Sequence, residues 1–315
     1  MQPKKILAIC IRDESFDDFL SIAKRVNRID KTIGVMIRNG SFHPSEIPLQ
    51  YLSLPLLTLY LVNPPATLPA RGHTLCVQDL GKWEEYKNFA AAGIPIPKAQ
   101  PYTIGQTVDP AEWGEYVVLK PIHSSFGTGN MLVPTRWLEK IQRQRIPSNN
   151  LLLSSPYLLQ QFIDSGPHAI SYRVLSLLGE PLLCRSSMRT KPVKYPDSLD
   201  EIFQNNSFTS NLPPGEETLG ERKLELVSDQ EILEFSKDAF NVYPDLPLQG
   251  IDIFRNASTG KLYVLENNSG GNVWSFSRKG GTTLQALGRK ALVTQFMAFD
   301  RAAEVLVKKT HELAR

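Results

Sequence analysis

The hydrophobic pattern at the start of the chain predicts a helix between two buried strands. The consecutive apolar residues 6–11 are typical of a buried strand, and residues 32–37 predict a second strand. Between them, residues 16–26 repeat apolar positions every three to four residues, as an amphipathic helix does. This order implies a parallel sheet, to which the apolar run 53–62 adds either another strand or a short helix. No G-x-G-x-x-G follows the first strand, so the dinucleotide-binding fingerprint is absent.

A second pattern, near the C-terminal end, predicts a β-hairpin with acidic residues on one face. Two short apolar strands, 250–254 and 263–268, are separated by a Thr-Gly turn. Because side chains alternate along a strand, Glu266 and Asn268 point the same way, and strand pairing can bring Asp252 beside them. Two carboxylates and an amide oxygen are ligands that Mg2+ prefers. The alternative is an ordinary hairpin with two solvated acids.

An apolar strand in the middle of the chain leads into a loop of small residues. The strand 116–121 ends in Lys120 and Pro121, and residues 124–129 are Ser, Phe, Thr and Gly. Backbone N–H groups of small residues can approach an anion, and a lysine supplies positive charge for a phosphate. The alternative is a flexible turn with a surface lysine. Upstream, residues 82–92 predict a helix that ends at Gly93.

Two arginines lie in a predicted hairpin further along the chain. Strands at 170–178 and 182–185 flank a Gly-Glu turn, with Arg173 in the first strand and Arg185 at the end of the second. A buried guanidinium is costly unless it is paired. Each arginine therefore predicts a partner, which is either a structural carboxylate or a bound phosphate.

The remaining pattern predicts a few more elements. A strand is expected at 157–163, a helix at 229–241, and one or two closing helices at 282–308. The polar segment 189–222 is long for a connection within a compact domain, so it predicts either a functional cover or a disordered loop.

Composition narrows the possible classes of protein. The 315 residues are enough for two or three domains, and a formal net charge of +3 gives no reason to expect a nucleic-acid partner. Cys10, Cys76 and Cys184 lack the spacing of a metal site or a disulfide framework, and predict buried free thiols in a cytoplasmic protein. Residues 51–62 are too short and too interrupted by proline to span a membrane, so no membrane partner is expected.

Several short motifs follow one another in an informative order. They are Lys82, Gly-Ile-Pro-Ile-Pro at 93–97, Val-Leu-Lys-Pro at 118–121 with the loop 124–129, Leu-Gln-Gln-Phe-Ile at 159–163, Tyr-Arg-Val at 172–174, Ser-Asn at 210–211, Gly-Ile-Asp at 250–252 and Leu-Glu-Asn-Asn at 265–268. Together they resemble the ATP-grasp superfamily, with a layout similar to the RimK and glutathione-synthetase-like carboxylate–amine ligases.

The resemblance implies an α/β (α+β) fold in three parts. An N-terminal Rossmann-like domain is expected at 1–77, a central ATP-grasp subdomain at 78–157, and a C-terminal subdomain with the Mg2+ site at 158–315. ATP is expected between the last two parts.

The resemblance also implies a role for each matching residue. Arg173, near the transferred phosphate, forms the expected catalytic set with Lys120 and Arg185. The expected metal ligands are Asp252, Glu266 and Asn268. The expected ATP-binding residues are Lys82 and Lys120 at the phosphates, Ser124, Ser125, Gly127 and Gly129 in the loop, Gln160, Gln161, Phe162 and Ile163 at the adenine hinge, Asp164 at the ribose, and Asn211. Ser171 and Thr209 depart from the family pattern, which leaves the substrate class open.

The activity implied by the resemblance is ATP-dependent ligation of a small carboxylate to an amine or a peptide through an acyl phosphate, with Mg2+. Two other hypotheses stay open: an ATP-grasp enzyme with a different acceptor, such as a small-molecule kinase, and an ATP-binding regulatory protein without turnover. A homodimer is expected by resemblance alone. His123 and His168 are both interpreted as solvated, so no general base is assigned.

The loop after the acidic hairpin is the expected substrate region. Gly270 and Gly271 can let the backbone approach an acyl phosphate, Arg278 can pair with a carboxylate, and Trp274 can form a wall of the pocket. The alternative is a structural loop with a core tryptophan and solvated bases.

Overall fold

The computed structural model of the protein describes residues 2–40, 46–68, 71–78, 80–123, 128–204, 222–270, 273–277 and 282–315. These residues form three sheets, one parallel and two antiparallel, with helices packed against them. The α/β character expected from the alternating pattern is therefore confirmed.

The first sheet is parallel and has the strand order β2-β1-β3-β4. Its strands are β1 (Lys5–Ile11), β2 (Ile33–Asn39), β3 (Leu56–Tyr60) and β4 (His73–Cys76), and helix α1 (Phe16–Ile29) joins the first two. The predicted βαβ unit is confirmed. The apolar run at 53–62 is a strand because β3 lies inside the sheet, with every residue buried, where a continuous apolar sequence fits.

The second sheet is antiparallel, in the order β5-β8-β6-β7. Its strands are β5 (Ala99–Tyr102), β6 (Tyr116–Pro121), β7 (Met131–Pro134) and β8 (Tyr157–Gln161), with the short helix α3 (Pro110–Trp113) nearby. Helix α4 (Leu199–Gln204) packs Ile202 and Phe203 into the core of this sheet. The first part of the segment predicted as a long loop is therefore ordered structure, and residues 205–221 lie outside the described ranges.

The third sheet is antiparallel, in the order β11-β10-β9-β12-β13. Its strands are β9 (Ile170–Leu177), β10 (Glu180–Arg189), β11 (Arg222–Leu226), β12 (Leu248–Arg255) and β13 (Leu262–Ser269). Both predicted hairpins, β9 with β10 and β12 with β13, are confirmed. The register of the second hairpin shifts between Asp252 and Ile253.

Helices α5 (Gln230–Phe240) and α2 (Lys82–Ala91) both pack against the third sheet. Helix α5 packs on one face, and the Asp229 side chain caps it by accepting from Glu231 N at 3.0 Å. Helix α2 contacts the edge strand β13. Pro95, just after this helix, accepts a hydrogen bond through its carbonyl from Val264 N of β13 at 2.9 Å. Both helices agree with the sequence-based prediction.

The first and third sheets share one hydrophobic core. Side chains of β1 and α1 pack in the same cluster as side chains of β9, β10 and the C-terminal helix α8 (Ala298–Leu313). Helices α6 (Thr282–Leu287) and α7 (Arg289–Thr294) precede α8, so three helices stand where one or two were predicted. Gly288 and Met297, with φ of 75° and 54°, separate them. Among the described helices, none is long and apolar enough to cross a membrane.

Candidate active site

Charged side chains form one row across the third sheet. Arg185 on β10 is the register partner of Arg173 on β9, and Arg173 is the partner of Asp252 on β12. Asp252 is in turn the partner of Glu266 on β13. Because directly paired residues project from the same face of a sheet, the four side chains lie side by side, bases at one end and acids at the other.

Asp252 and Arg173 form a bidentate ion pair in the middle of this row. Arg173 Nε donates to Asp252 Oδ1 at 2.6 Å, and Arg173 Nη2 donates to Asp252 Oδ2. Burial raises the pKa of Asp252, but the Arg173 guanidinium outweighs this effect and the net pKa is lowered. Asp252 is therefore an anion at neutral pH.

Asn268 joins the two acids. Its Nδ2 donates to Asp252 Oδ2 at 3.2 Å and to Glu266 Oε1 at 3.4 Å. The three side chains predicted as metal ligands thus meet on one face, as the alternation of the strand requires.

The donor set of this cluster fits Mg2+. The described residues contain no group of three His, Cys, Asp or Glu that could hold a metal. Two carboxylates and an amide are nevertheless a sufficient protein contribution for Mg2+, which keeps several waters or phosphate oxygens. The amide nitrogen of Asn268 lies between the two anions, and a half-turn of the amide presents Oδ1 there instead.

Two lysines face the acidic end of the row. Lys82 Nζ donates to Pro121 O at 3.4 Å, which brings the lysine at the start of α2 to the end of β6. Burial lowers the pKa of Lys120 to about 8, and the positive charge of Lys82 adds to this effect, whereas Glu266 and Asp252 oppose it. The lysines and the acids are therefore close enough to influence one another, in an arrangement suited to a metal-bound phosphate.

Arg185 occupies the basic end of the row. Its Nε is buried and has no hydrogen-bond partner in the described part of the chain. Burial and, to a smaller extent, the neighbouring Arg173 lower the pKa of Arg185 to about 10, and the opposing effect of Asp252 is weaker. The carboxylate of Asp252 is already bound to Arg173, so positive charge at this end is left to attract an anion.

The predicted adenine hinge lies at the end of β8. Gln160 is only 3% exposed, and its Oε1 has no hydrogen-bond partner in the part of the chain that the structure describes. Gln160 and Leu158 share a face of the sheet with Lys120, because Leu158 pairs with Lys120. Phe162 lies edge-on to Tyr116, with ring centroids 6.5 Å apart. The buried acceptor of Gln160 is thus on the sheet face that carries the lysine.

The other hinge residues differ in exposure. Gln161 is half-buried and its Oε1 accepts weakly from Lys98 N at 3.5 Å, while Ile163 is buried. Asp164 is exposed, and its Oδ1 accepts from Gly166 N at 2.8 Å. The carboxylate predicted to bind the ribose is therefore open to solvent.

Comparisons with known proteins address the fold as a whole. No family model and no curated protein sequence matches the chain. The ATP-grasp ligase PsnB, complexed with precursor peptide PsnA2 and AMPPNP, is 12% identical, covers 99% of this chain and 100% of its own, and has a TM-score of 0.54. The macrocyclase MdnC from Microcystis aeruginosa MRC, bound with precursor peptide MdnA, is 12% identical over 96% of this chain and 99% of its own, with a TM-score of 0.50.

The protein has the ATP-grasp fold. The D-cycloserine synthetase DcsG is also similar, at 15% identity over 91% of this chain and 99% of its own, with a TM-score of 0.48. The resemblance that the short motifs indicated is therefore confirmed at the level of the fold. At these identities the likeness does not extend to the RimK-like branch, which stays a prediction.

Of the four loop residues predicted to bind phosphate, only Gly129 lies among the described residues. Gly129 is buried, has φ of 77°, and its carbonyl accepts from Tyr157 Oη at 3.1 Å. Ser124, Ser125 and Gly127 of the predicted loop, and Asn211, lie outside the described residues.

The predicted substrate loop needs one correction. Trp274 is 2% exposed and packs with Phe19, at a centroid distance of 4.6 Å, and with Phe276. Its Nε1 donates to Asp18 Oδ2 at 2.9 Å. Trp274 is thus a core residue and not a wall of the pocket, because an indole buries best where its N–H also finds an acceptor.

The other residues of that loop are less informative. Gly270 follows β13 directly, with φ of 102°, whereas Gly271 and Arg278 lie outside the described residues. His123 is exposed, as expected, and His168 is half-buried with Nδ1 3.2 Å from Arg189 O.

Sequence reasoning missed the polar residues beneath the site. Tyr86 on α2 is 5% exposed, and its hydroxyl has no hydrogen-bond partner in the part of the chain that the structure describes. Burial, with Glu266 and Glu85 nearby, raises the pKa of Tyr86. Asn267 and Gln249 are also buried. The signal for Asn267 was present: strand alternation turns it away from Glu266 and Asn268, into the apolar core.

Proposed function

We propose that this protein is an ATP-dependent carboxylate–amine ligase, of the layout found in RimK-like enzymes. The observation that carries this proposal is the charged row. Its acidic end, Asp252 and Glu266, lies near Lys120, and its basic end consists of Arg173 and Arg185. A chain that only binds a nucleotide has no need of a second, cationic end to its site.

Asp252, Glu266 and Asn268 would hold Mg2+, and Lys82 and Lys120 would hold the ATP phosphates. The ion, when bound, neutralises phosphate charge and draws electrons from the phosphorus that is attacked. Gln160 Oε1, which has no hydrogen-bond partner among the described residues, is suited to accept from the amino group of adenine, and this fit supports ATP as the nucleotide. Asp164 is suited to the ribose.

The reaction has two displacements. The substrate carboxylate attacks the γ-phosphorus of ATP, the bond to the β,γ-bridging oxygen breaks, and ADP leaves. The amine nitrogen then attacks the carbonyl carbon of the acyl phosphate, loses a proton, and phosphate leaves as the amide forms. Arg173 and Arg185 would offset the negative charge that develops in both steps, and Lys120 would orient the phosphate being transferred. No side chain is assigned as the base that takes the amine proton.

A peptide is the substrate class that the comparisons favour. PsnB and MdnC are both bound to precursor peptides. A peptide offers a carboxylate and an amine, so it can serve either displacement. The cytoplasmic location and the homodimer stay predictions.

The test is release of ADP and phosphate from Mg-ATP with a panel of amino acids and short peptides, supplied singly and in pairs. Release that requires both a carboxylate and an amine, with a product mass equal to their sum less water, would establish the ligase. A phosphorylated product without free phosphate would instead establish a kinase. ATP binding without release for any pair would favour the regulatory hypothesis.

A further inference from the structure

A closed ring of hydrogen bonds lies behind the charged row, on the opposite face of the third sheet. Asn267 N donates to Glu85 Oε2 at 3.2 Å, and Asn267 Nδ2 donates to Gln249 Oε1 at 3.0 Å. Gln249 Nε2 donates to Tyr243 O at 3.0 Å. Tyr243 Oη donates weakly to Glu85 O at 3.5 Å, which closes the ring. We name these four residues the polar ring.

Three of the four residues of the polar ring are buried among apolar side chains. Gln249 is 1% exposed, Asn267 is 6% exposed and Glu85 is 9% exposed. The register partner of Asn267 is Ile251, which belongs to the hydrophobic core under the sheet. Burying amides and a carboxylate lowers stability wherever a polar atom stays unbonded, as Asn267 Oδ1 does among the described residues, so apolar side chains would be the simpler choice for these positions.

The polar ring joins the elements that carry the candidate phosphate and metal ligands. Glu85 lies on α2, one turn after Lys82. Asn267 lies on β13 between Glu266 and Asn268. Gln249 lies on β12, three residues before Asp252, and its Nε2 also donates to Phe240 O and Leu246 O at 3.4 and 3.3 Å. A displacement of any of these elements breaks at least one bond of the ring.

Strand β13 depends on the polar ring for its position, because it lies at the edge of the sheet. Within the described sheet, β13 pairs only with β12, so its outer side is held by contacts with the α2 segment. Glu85 receives one outward N–H of β13, and Pro95 O receives another, that of Val264, at 2.9 Å. An edge strand that is clasped in this way keeps its side chains in a fixed register.

We propose that Asn267, Gln249 and Glu85 are positioning residues for the metal site: they clasp β13 between α2 and the α5–β12 connection, so that Glu266 and Asn268 stay in line with Asp252. The proposal rests on the proposed function, since it supposes that these three side chains hold a divalent cation. Residues that orient metal ligands without touching the ion typically change metal affinity or activity about 10- to 100-fold when they are replaced.

The first measurement is Mn2+ binding in the presence of saturating ADP, from the electron paramagnetic resonance signal of free Mn2+. For Asn267→Leu we expect the dissociation constant of Mn2+ to rise about tenfold or more. The affinity for ADP in EDTA should change much less, because the replaced amide is on the face away from the nucleotide. A residue that only stabilises the fold would alter the unfolding midpoint and leave the Mn2+ constant of the folded protein unchanged.

A second pair of variants keeps the proposal testable even if Asn267→Leu fails to fold. Glu85→Gln keeps an oxygen that accepts from Asn267 N, so Mn2+ affinity should stay within about twofold of wild type, whereas Glu85→Leu removes the acceptor and should lose about tenfold. The matched control is Ser176→Ala. Ser176 is fully buried and is the register partner of Gln249, but its hydroxyl has no hydrogen-bond partner among the described residues. Its Mn2+ affinity should equal that of wild type.

The outcomes separate the two proposals. Wild-type Mn2+ affinity in folded Asn267→Leu and Glu85→Leu would overturn the positioning role, and so would an equal loss in Ser176→Ala. Absence of Mn2+ binding by the wild-type protein with ADP would overturn the metal site itself, and the positioning role with it.

Discussion

The charged residues of the row differ in whether the protein itself supplies their hydrogen-bond partners. Asp252 is bound by Arg173 on one side and by the Asn268 amide on the other. Arg185, one strand further along, has a buried Nε without a hydrogen-bond partner in the described residues. The negative charge of Asp252 and Glu266 is thus partly neutralised by Arg173, whereas the Nε of Arg185 is left to bind a ligand. A triphosphate next to a carboxylate substrate is a ligand of matching charge.

Glu266 is the residue whose replacement tests the metal site most directly. Glu266→Gln preserves the size of the side chain but removes its charge, so we expect ATP turnover to fall at least about 100-fold while the free energy of unfolding is nearly unchanged. Steady-state ADP release and urea unfolding measure the two quantities. Glu225→Gln is the control, because Glu225 lies on β11 of the same sheet with its side chain 57% exposed. Wild-type turnover in Glu266→Gln would contradict the site assignment.

Lys120 should make nucleotide binding depend on pH. A lysine binds phosphate in its protonated form, and burial holds the pKa of Lys120 at about 8 in the free protein. As the pH rises above this value, a proton must be taken up for binding, so the dissociation constant of Mg-ADP should increase by up to about tenfold per pH unit. Titration calorimetry between neutral and alkaline pH measures this slope.

The control for this pH dependence is Lys120→Arg. An arginine stays charged over the same range. Its affinity for Mg-ADP can be lower than that of wild type, but it should not fall as the pH rises. Equal slopes in the two proteins would assign the pH dependence to another group.

Individual site residues were predictable where one local rule applied. Alternation along a strand is enough to place Glu266 and Asn268 on one face, and hairpin pairing is enough to bring Asp252 to them. The same alternation turns Asn267 into the core, but its partner Glu85 lies 182 positions away in the chain. Trp274 illustrates the limit as well, because its acceptor Asp18 is 256 positions distant. Contacts of this kind depend on tertiary packing, which a local pattern does not contain.

At the scale of the elements, Gly129, two residues before β7, has almost no room for a side chain. A Cβ atom at Gly129 would lie 2.8 Å from Pro121 Cγ and 3.0 Å from Tyr157 Oη, and the φ of 77° disfavours any side chain. We therefore expect Gly129→Ala to lower the free energy of unfolding by about 3 kcal/mol, from backbone strain and overpacking together. Urea unfolding measures this loss.

Gly105→Ala is the matched control for that substitution. Gly105 lies in the same part of the chain with a similar φ of 85°, but a Cβ atom there would have nothing within 4 Å. Backbone strain alone should cost about 1 kcal/mol. If the free energy of unfolding falls equally in the two variants, the close packing of Gly129 against β6 and β8 does not contribute to the loss in Gly129→Ala.

Elements with a strong period were predicted well, and their ends were predicted less well. The helix expected at 16–26 extends to Ile29, and the one expected at 229–241 begins after the Asp229 cap. The closing helices were underestimated in number. Met297, a residue with good helix propensity, adopts a φ of 54° that ends one helix and begins the next. Tertiary packing of α8 on the shared core overrides its local preference.

At the scale of the whole molecule, the C-terminal helix α8 and Arg315 contact the N-terminal sheet and its helix. Helix α8 packs against α1, and the backbone carbonyl of the last residue, Arg315, accepts from Leu56 N at 3.1 Å at the start of β3. The shared core joins the first sheet to the third, while the second sheet has a core of its own. The division into three domains stays a prediction, and the sequence did not indicate that the first and third sheets share a core.

Asp18 should be central to this packing of the first part against the third. It is fully buried on α1, where it accepts from Trp274 Nε1 at 2.9 Å and pairs with Arg289. Asp18→Ala leaves the indole N–H without an acceptor, while the half-exposed Arg289 returns to water, so we expect the free energy of unfolding to fall by about 2 kcal/mol. In urea unfolding the midpoint should drop with an unchanged slope.

The neighbouring Asp17→Ala is the control: Asp17 is exposed in the first turn of α1, where its loss should cost less than about 1 kcal/mol. Equal losses in the two variants would mean that the Asp18 contacts do not couple α1 to the segment that follows β13.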